Sequence, residues 1–316
     1  MVRFALLCMI LLQSLLLAAP LAANPIRTTL IEIQAADLRV ARIGYRLLTA
    51  NAARCAKTVP GTGMVLHSLA QYSPAVRRDA IAVHGFLSPV SLSAVIPESP
   101  AERAGLRPGD GITAINGQPL NLTTPSPLAT NADRDMTEQR FWSLPPNAPI
   151  RLIVTRQEGS RELTLVPSPA CRVRIEVLTG GKVKAHSNGE TIQVGLSFAA
   201  RLNDEEIAFA IAHELAHVIL EHRTKLEPFE GQAPTKEKKQ ERSRLARQFE
   251  DEADLLSLHL LSAAGWDPGI APRFMRGKGR QFAGSSRVHR GATDRALLME
   301  TEISRMPKFV PTNRAP

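Results

Sequence analysis

Apolar positions change period several times along this chain, and each change predicts a different element. Residues 37–55, DLRVARIGYRLLTANAARC, carry Val40, Ile43, Leu47 and Ala50 at helical spacing behind Asp37 as a cap, which predicts an amphipathic helix. From 91 to 120 an alternating strand runs to Ile96, a short helix starts at Ser99-Pro100, RPGD makes a turn, and GITAINGQ forms a strand ending in an Asn-Gly turn. A helix over NADRDMTEQRFW and two strands, IRLIVTRQ and RELTLVPS, about the turn Glu158-Gly159-Ser160 follow. Strict alternation then puts Val173, Ile175 and Val177, and after them Ile192, Val194, Leu196 and Phe198, on single faces of two half-buried strands. Asn203 with Glu206 three residues on has the form of a capping box ahead of a long apolar helix, LNDEEIAFAIAHELAHVILEH. A further helical stretch, QFEDEADLLSLHLLSAAGWDP, has Phe249, Ala253, Leu256 and Leu260 as its apolar stripe.

With 316 residues the chain has room for two domains. Residues 1–23 have one basic residue, an apolar run interrupted by Gln13, and small residues before Asn24, the order of a secretory leader cleaved near Ala23. An uncleaved membrane anchor is the other reading, although the run is short for a span. Beyond the leader two cysteines remain, Cys55 and Cys171, for which an oxidising compartment predicts a bridge and a reducing one two buried thiols. The net charge of +9 could indicate nucleic acid, but aromatics are only 4% and no basic stretch is interleaved with them, so no nucleic-acid partner is expected. Much of the basic excess falls in residues 223–248, mixed with glutamates, and reads as a solvated, mobile segment; contact with an anionic membrane surface stays open.

The candidate chemistry lies in the helix with AHELAHVILEH. His213 and His217 are one turn apart and project from one face at a separation suited to a single tetrahedral zinc ion. Glu214, about 100° around the helix, stands beside the open coordination position. There it can take a proton from water and return it to a leaving amine, the task of a general base and acid. The third ligand cannot follow the metzincin pattern, because Leu220 and Arg223 occupy the positions where that pattern needs glycine and histidine. Downstream, Glu250 and Asp254 are four apart on one flank of the apolar stripe, so Glu250 can complete the metal site while Asp254 orients a ligand histidine through its other ring nitrogen. Glu252 is expected to point away. His222 is read as a cation favoured by the helix C-terminus, and His67, His84, His186 and His259 as structural or exposed.

Two resemblances follow from these motifs. SPAERAGLRPGD with INGQPL resembles a PDZ domain of the bacterial secreted-protease type over residues 72–167. That resemblance implies capture of an extended chain end at a sheet edge, with HGFL (Gly85, Phe86 and Leu87) as the candidate carboxylate loop, or else a purely positioning role. NGETIQVGLSFAARLNDEEIAFAIAHELAHVILEH with FEDEADLLSLHLLSAAGWDP is similar to the gluzincin peptidases that include the HtpX-like proteases, the CAAX prenyl endopeptidases and the periplasmic BepA/LoiP-like proteases. It implies one Zn2+ per chain held by His213, His217 and Glu250, Glu214 as catalytic base and Asp254 behind a ligand. It also implies a late active-site histidine and arginine, here His289 and Arg295, although Arg290 stands where the family has proline.

The expected fold class is α+β: a mostly helical metalloprotease domain with a small edge sheet, plus a β-rich PDZ domain. The expected order is a leader (1–23), an N-terminal helical segment packing on the catalytic core (24–71), the PDZ domain (72–167), the zinc metallopeptidase domain (168–306) and a flexible tail (307–316). An extended substrate is expected to pair with the edge of the strand carrying Ile192 and Val194. The expected function is a secreted, periplasmic zinc endopeptidase acting on protein or peptide substrates, misfolded envelope proteins among them. The alternative is a chaperone-like PDZ protein with a latent zinc site.

Overall fold

The computed structural model describes residues 24–122, 127–181, 184–229, 235–281 and 290–310. The expected leader and most of the tail lie outside them. The chain opens with α1 (Pro25–Ala50), which begins twelve residues before Asp37 because the Asn24 side chain accepts from the backbone N–H groups of Ile26 and Arg27 and proline occupies the first turn. Asp37 is therefore an interior helix residue and not a cap.

Next come β1 (Thr58–Gly61), β2 (Met64–Ser68), α2 (Pro74–His84), β3 (Val90–Val95), α3 (Pro100–Arg103), β4 (Gly111–Ile115), β5 (Gln118–Pro119), α4 (Ala132–Trp142), β6 (Ile150–Arg156) and β7 (Gly159–Leu165). Strands β2, β3, β4, β6 and β7 lie in that order in an antiparallel sheet, with the short β5 paired to β4. Leu92, Ile112, Ile115, Leu152, Val154 and Phe141 fill its core. Strand β2 lies before residue 72, so this sheet unit starts earlier than the sequence pattern implied. Gly63 makes that start possible: its φ is +80°, and a Cβ there would come within 2.1 Å of Ser99.

The C-terminal unit comprises β8 (Ser168–Cys171), β9 (Arg174–Leu178), β10 (Ala185–Ser187), β11 (Thr191–Gly195), α5 (Leu196–Ala199), α6 (Asp204–Ile219), α7 (His222–Leu226), α8 (Lys236–Ala263), α9 (Ile270–Arg276) and α10 (Ala292–Ile303). Strand β11 is the centre of a three-stranded sheet, parallel to β9 and antiparallel to β10. Its buried face, Ile192 and Val194, meets Ile207, Ile211 and Leu215 of α6 in one core shared with α8, α9 and α10. The charged stretch expected to be a solvated, mobile segment forms, from Lys236 onward, the first half of α8, capped by the Thr235 side chain. Its Lys, Glu, Gln and Arg residues are strong helix formers, and the buried second half propagates the helix back through them.

Helix α1 joins the two units. Val40, Ile43 and Leu47 belong to the C-terminal core, and Gly44 lets the helix settle onto β9, where a Cβ would come within 2.4 Å of Ile175. Arg39 and Arg42 pair with Asp204 in the first turn of α6 at 2.5 and 2.7 Å. Arg46 donates to the carbonyls of Ala264 and Gly265 at the end of α8 and lies 4.8 Å over Trp266, a cation placed at a helix C-terminus. Toward the sheet unit, Arg27 pairs with Asp79 at 2.7 Å, and Gln34 donates to the Ser93 carbonyl at 2.5 Å.

Strand β1 pairs antiparallel with β8, Thr58 opposite Cys171, and a Cys55–Cys171 disulfide with Cα atoms 5.5 Å apart closes the base of this ribbon. The bridge spans 116 residues of sequence, which in the chain-entropy account removes about 4–5 kcal/mol of unfolded-state freedom. The double variant Cys55→Ser/Cys171→Ser is expected to lose up to about 4 kcal/mol of stability. In urea unfolding it should match the wild type under reductant and fall below the oxidised wild type.

Candidate metal centre

Two helices converge on one point. Helix α6 supplies His213 and His217 and α8 supplies Glu250, and one ligand atom from each lies within 4.8 Å of the others. His213 Nε2 and His217 Nε2 are 3.2 Å apart, Glu250 Oε2 is 3.3 Å from the first, and Glu250 Oε1 is 3.6 Å from the second. A tetrahedral zinc ion with bonds of about 2.0–2.2 Å sets neighbouring ligand atoms roughly 3.3–3.6 Å apart, so these residues fit such an ion. Glu214 is half-buried on α6 directly after the first ligand.

Behind His213 sits a buried ion pair. Asp254 is fully buried and accepts from Arg295 Nε at 2.6 Å and Nη2 at 2.5 Å, a bidentate pair in which the arginine is itself 7% exposed. Nδ1 of His213 lies 3.1 Å from Asp254 Oδ1. Burial opposes ionisation of Asp254, but the bonds and charges of Arg295 and His213 hold its pKa below the usual carboxylate value. Burial likewise opposes charge on His213, yet Asp254 and Glu250 outweigh it and push its pKa up to about 10. His217 is pushed down to about 3 by burial and then by the charge on His213. Two carboxylates against one arginine make this a place that attracts a cation, whether proton or metal ion.

The remaining expected residues are placed as follows. His289 lies outside the described residues, and its neighbour Arg290 forms a bidentate pair with Asp251 at 2.7 and 2.8 Å. Ile192 and Val194 cannot hold a substrate, because β11 is paired on both sides and both side chains are buried in the core. Among the described residues the strand of that sheet lying against α6 with one edge unpaired is β10. Ala185-His186-Ser187 has no apolar alternation, so sequence pattern could not reveal it. A cleft of about 340 Å³, lined in part by Trp142, Asn188, Glu190, His217 and Thr224, opens beside the centre.

Two residues were misjudged from sequence. His222 is 2% exposed, and its Nδ1 lies 2.9 Å from His217 Nδ1; it is no surface cation at a helix end. Glu252 does not point away but meets His222 Nε2 at 3.1 Å. The signal for this pair was the spacing from His217 to His222, which is legible only if the chain turns back after α6.

In the sheet unit, Gly85 ends α2 in a left-handed conformation, and Phe86 stacks on His67 with centroids 4.2 Å apart. The HGFL segment thus lies at the His67 end of β2, while Gly61 to Gly63 lead into its other end. Strand β2 is the edge of the sheet, and between it, α4, β9 and α1 lies a cavity of about 460 Å³ lined in part by Met64, Leu66, Phe141 and Asp37. Burial raises the Asp37 carboxyl to a pKa of about 7 against the lowering effect of the Val177 backbone and Arg134. His67 and His84 pack edge to face at 4.8 Å, with His67 Nε2 and both His84 ring nitrogens buried without a hydrogen-bond partner among the described residues. Burial lowers both pKa values, and for His67 the neighbouring His84 adds to the effect.

The PDZ domain family matches residues 92–129, so the sheet unit contains a PDZ domain. Solved structures similar to this part of the chain include the HtrA3 PDZ domain bound to a phage-derived ligand (FGRWV), at 18% identity, TM-score 0.26, and 36% of this chain against 89% of that one. Another is the HtrA-type protease AlgW with a decapeptide, at 21% identity, TM-score 0.26, and 35% of this chain against 30% of that one. The chain therefore spans less than a third of AlgW. No curated protein matches the sequence.

Arg295→Met is expected to strand the Asp254 carboxylate without its counter-charge and cost about 3–5 kcal/mol in urea unfolding, whereas Arg295→Lys should recover part of that loss. A second expectation concerns pH. Because His67 and His84 have folded pKa values below the ordinary 6.5, the unfolded chain takes up protons first on acidification; their stabilisation is complete above about 6.5 and declines below it. The difference in unfolding free energy between pH 8 and pH 5.5 should be smaller for His67→Phe/His84→Leu than for the wild type. Equal differences would show that these rings do not titrate with unfolding.

Proposed function

We propose that the protein is a zinc metalloendopeptidase related to the gluzincins, with its PDZ domain assisting substrate recognition or regulating the site. The observation that carries this reading is the triangle of His213 Nε2, His217 Nε2 and Glu250 carboxylate atoms, with separations of 3.2, 3.3 and 3.6 Å. Zinc, when bound there, would acidify water and polarise the scissile carbonyl. Glu214 is the general base that accepts the proton and the general acid that delivers it to the leaving amine. Asp254 and Arg295 hold His213 with Nε2 facing the centre. An extended peptide would add to the edge of β10 that is unpaired among the described residues, along α6, with a side chain entering the cleft beside His217.

The PDZ domain supports protein or peptide partners. The disulfide supports an oxidising compartment and with it a secreted, periplasmic protein; misfolded envelope proteins are the substrates proposed for it there.

The test is cleavage of an unfolded protein such as casein by the wild type and by Glu214→Gln, with metal content measured in both. The expected outcome is about one zinc per chain in each, hydrolysis by the wild type that a chelator abolishes, and a loss of roughly 100-fold or more in the variant. Undiminished cleavage by Glu214→Gln would refute the assignment of the base. Zinc uptake without any cleavage, combined with suppression of client aggregation, would favour the chaperone-like alternative.

A further inference from the structure

We infer that His222 is a positioning residue for the metal centre: with Glu252 and Gln248 it fixes the ring orientation and the tautomer of His217. The inference rests on the zinc-site reading above and extends it to a residue outside the ligand set.

The backbone is shaped to bring His222 back toward α6. Glu221, a non-glycine residue, has φ +54° in the left-handed region and stands between α6 and His222, the first residue of α7. The His222 ring stacks on Phe249 of α8 with centroids 4.2 Å apart and planes 5° from parallel, and meets His217 edge to face. Its Nδ1 faces His217 Nδ1 at 2.9 Å, its Nε2 faces Glu252 Oε2 at 3.1 Å, and Glu252 Oε1 accepts from Gln248 Nε2 at 2.7 Å.

For a neutral His222, proton accounting along this row has one consistent solution. Two facing imidazole nitrogens need one hydrogen between them, so one donates and the other accepts. A carboxylate oxygen only accepts, so the hydrogen of neutral His222 belongs on Nε2, pointing at Glu252. His222 Nδ1 is then an acceptor, and His217 must carry its own hydrogen on Nδ1. That leaves His217 Nε2 as a bare lone pair directed at His213 Nε2 and Glu250, where a metal ion requires it. The opposite arrangement would set lone pairs of His222 and Glu252 against each other and place a hydrogen on His217 Nε2, in the metal's position. At His213 the Asp254 carboxylate, held by Arg295, lies 3.1 Å from Nδ1, so each ligand histidine has a polar group facing its Nδ1, one buried and one leading toward the surface.

The test is zinc affinity of the full chain, measured by competition with a chromophoric chelator. His222→Phe keeps the stacking on Phe249 and removes the acceptor; its metal-free urea midpoint should stay near that of the wild type while zinc affinity falls about 10–100-fold. His222→Gln, whose side-chain carbonyl can accept from His217 Nδ1, should regain part of the loss. Glu252→Leu leaves His222 in place and should weaken zinc several-fold, which keeps the test decisive if His222→Phe does not fold. Zinc affinity within about two-fold of the wild type in His222→Phe, or in Glu252→Leu where that variant stands in, would overturn the inference. Hydrolysis is not needed for this readout. A wild type that binds zinc but shows no Glu214-dependent cleavage would refute the endopeptidase reading while leaving His222 to be judged by affinity. A wild type that takes up no zinc would overturn both.

Discussion

A carboxylate without solvent access stays charged only if a fixed counter-charge reaches it, and the C-terminal unit is arranged around that requirement at Asp254. The residue is fully buried on α8, and its partner Arg295 comes from α10, far along the chain. Desolvation alone would neutralise the acid. The bidentate arginine keeps it ionised, and the ionised acid faces His213 Nδ1 at 3.1 Å. Geometry at the centre thus depends on α10 being docked, although α10 buries few residues, chiefly Arg295, Ala296 and Met299. The ion pair supplies direction as well as attachment: a bidentate fork allows one register of α10 on α8, which an apolar contact would not impose.

Helix α1 imposes the second constraint. Its arginines meet Asp204 at the start of α6 and the carbonyls at the end of α8, the two helices that carry the candidate ligands. The separation of those helices is therefore braced from outside by an element more than a hundred residues upstream of either. The same helix contributes Asp37 and Val40 to the wall of the cavity beside β2, so that cavity and the C-terminal core share one structural member.

Much of this was legible in the sequence. The histidine pair, Glu250 and Asp254 could be read because helical periodicity fixes which side chains share a face. The capping box at Asn203 and Glu206 is present with both of its bonds. What escaped was set by tertiary context. Asp37 looked like a cap because capping residues are polar, but Asn24 and Pro25 win the helix start and leave Asp37 inside. The charged run within 223–248 read as a solvated, mobile segment because lysines and arginines are mixed with glutamates there, yet from Lys236 its helix propensity is high and the buried half of α8 extends it. His222 and Glu252 could not be read, because a left-handed Glu221 is not announced by its residue type. Ile192 and Val194 were correctly seen as one face of a strand; that the strand lies in the middle of its sheet depends on β10, which has no pattern of its own.

The ribbon of β1 and β8 makes the PDZ-containing unit an insertion with a single stem: the chain leaves at Gly61 and returns at Ser168, residues that stand opposite each other. The arrangement bears on how the chain finds its fold. Contacts of α1 with β9 join segments separated by the whole insertion, and closing so long a loop slows any search. The insertion has its own core, including Leu92, Ile112, Leu152 and Val154. Once that core forms, its two ends are neighbours, and the effective loop shrinks from the length of a domain to that of a short ribbon. A topology that looks distant on paper is then local for the folding chain, and the Cys55–Cys171 bond records covalently that the stem has closed.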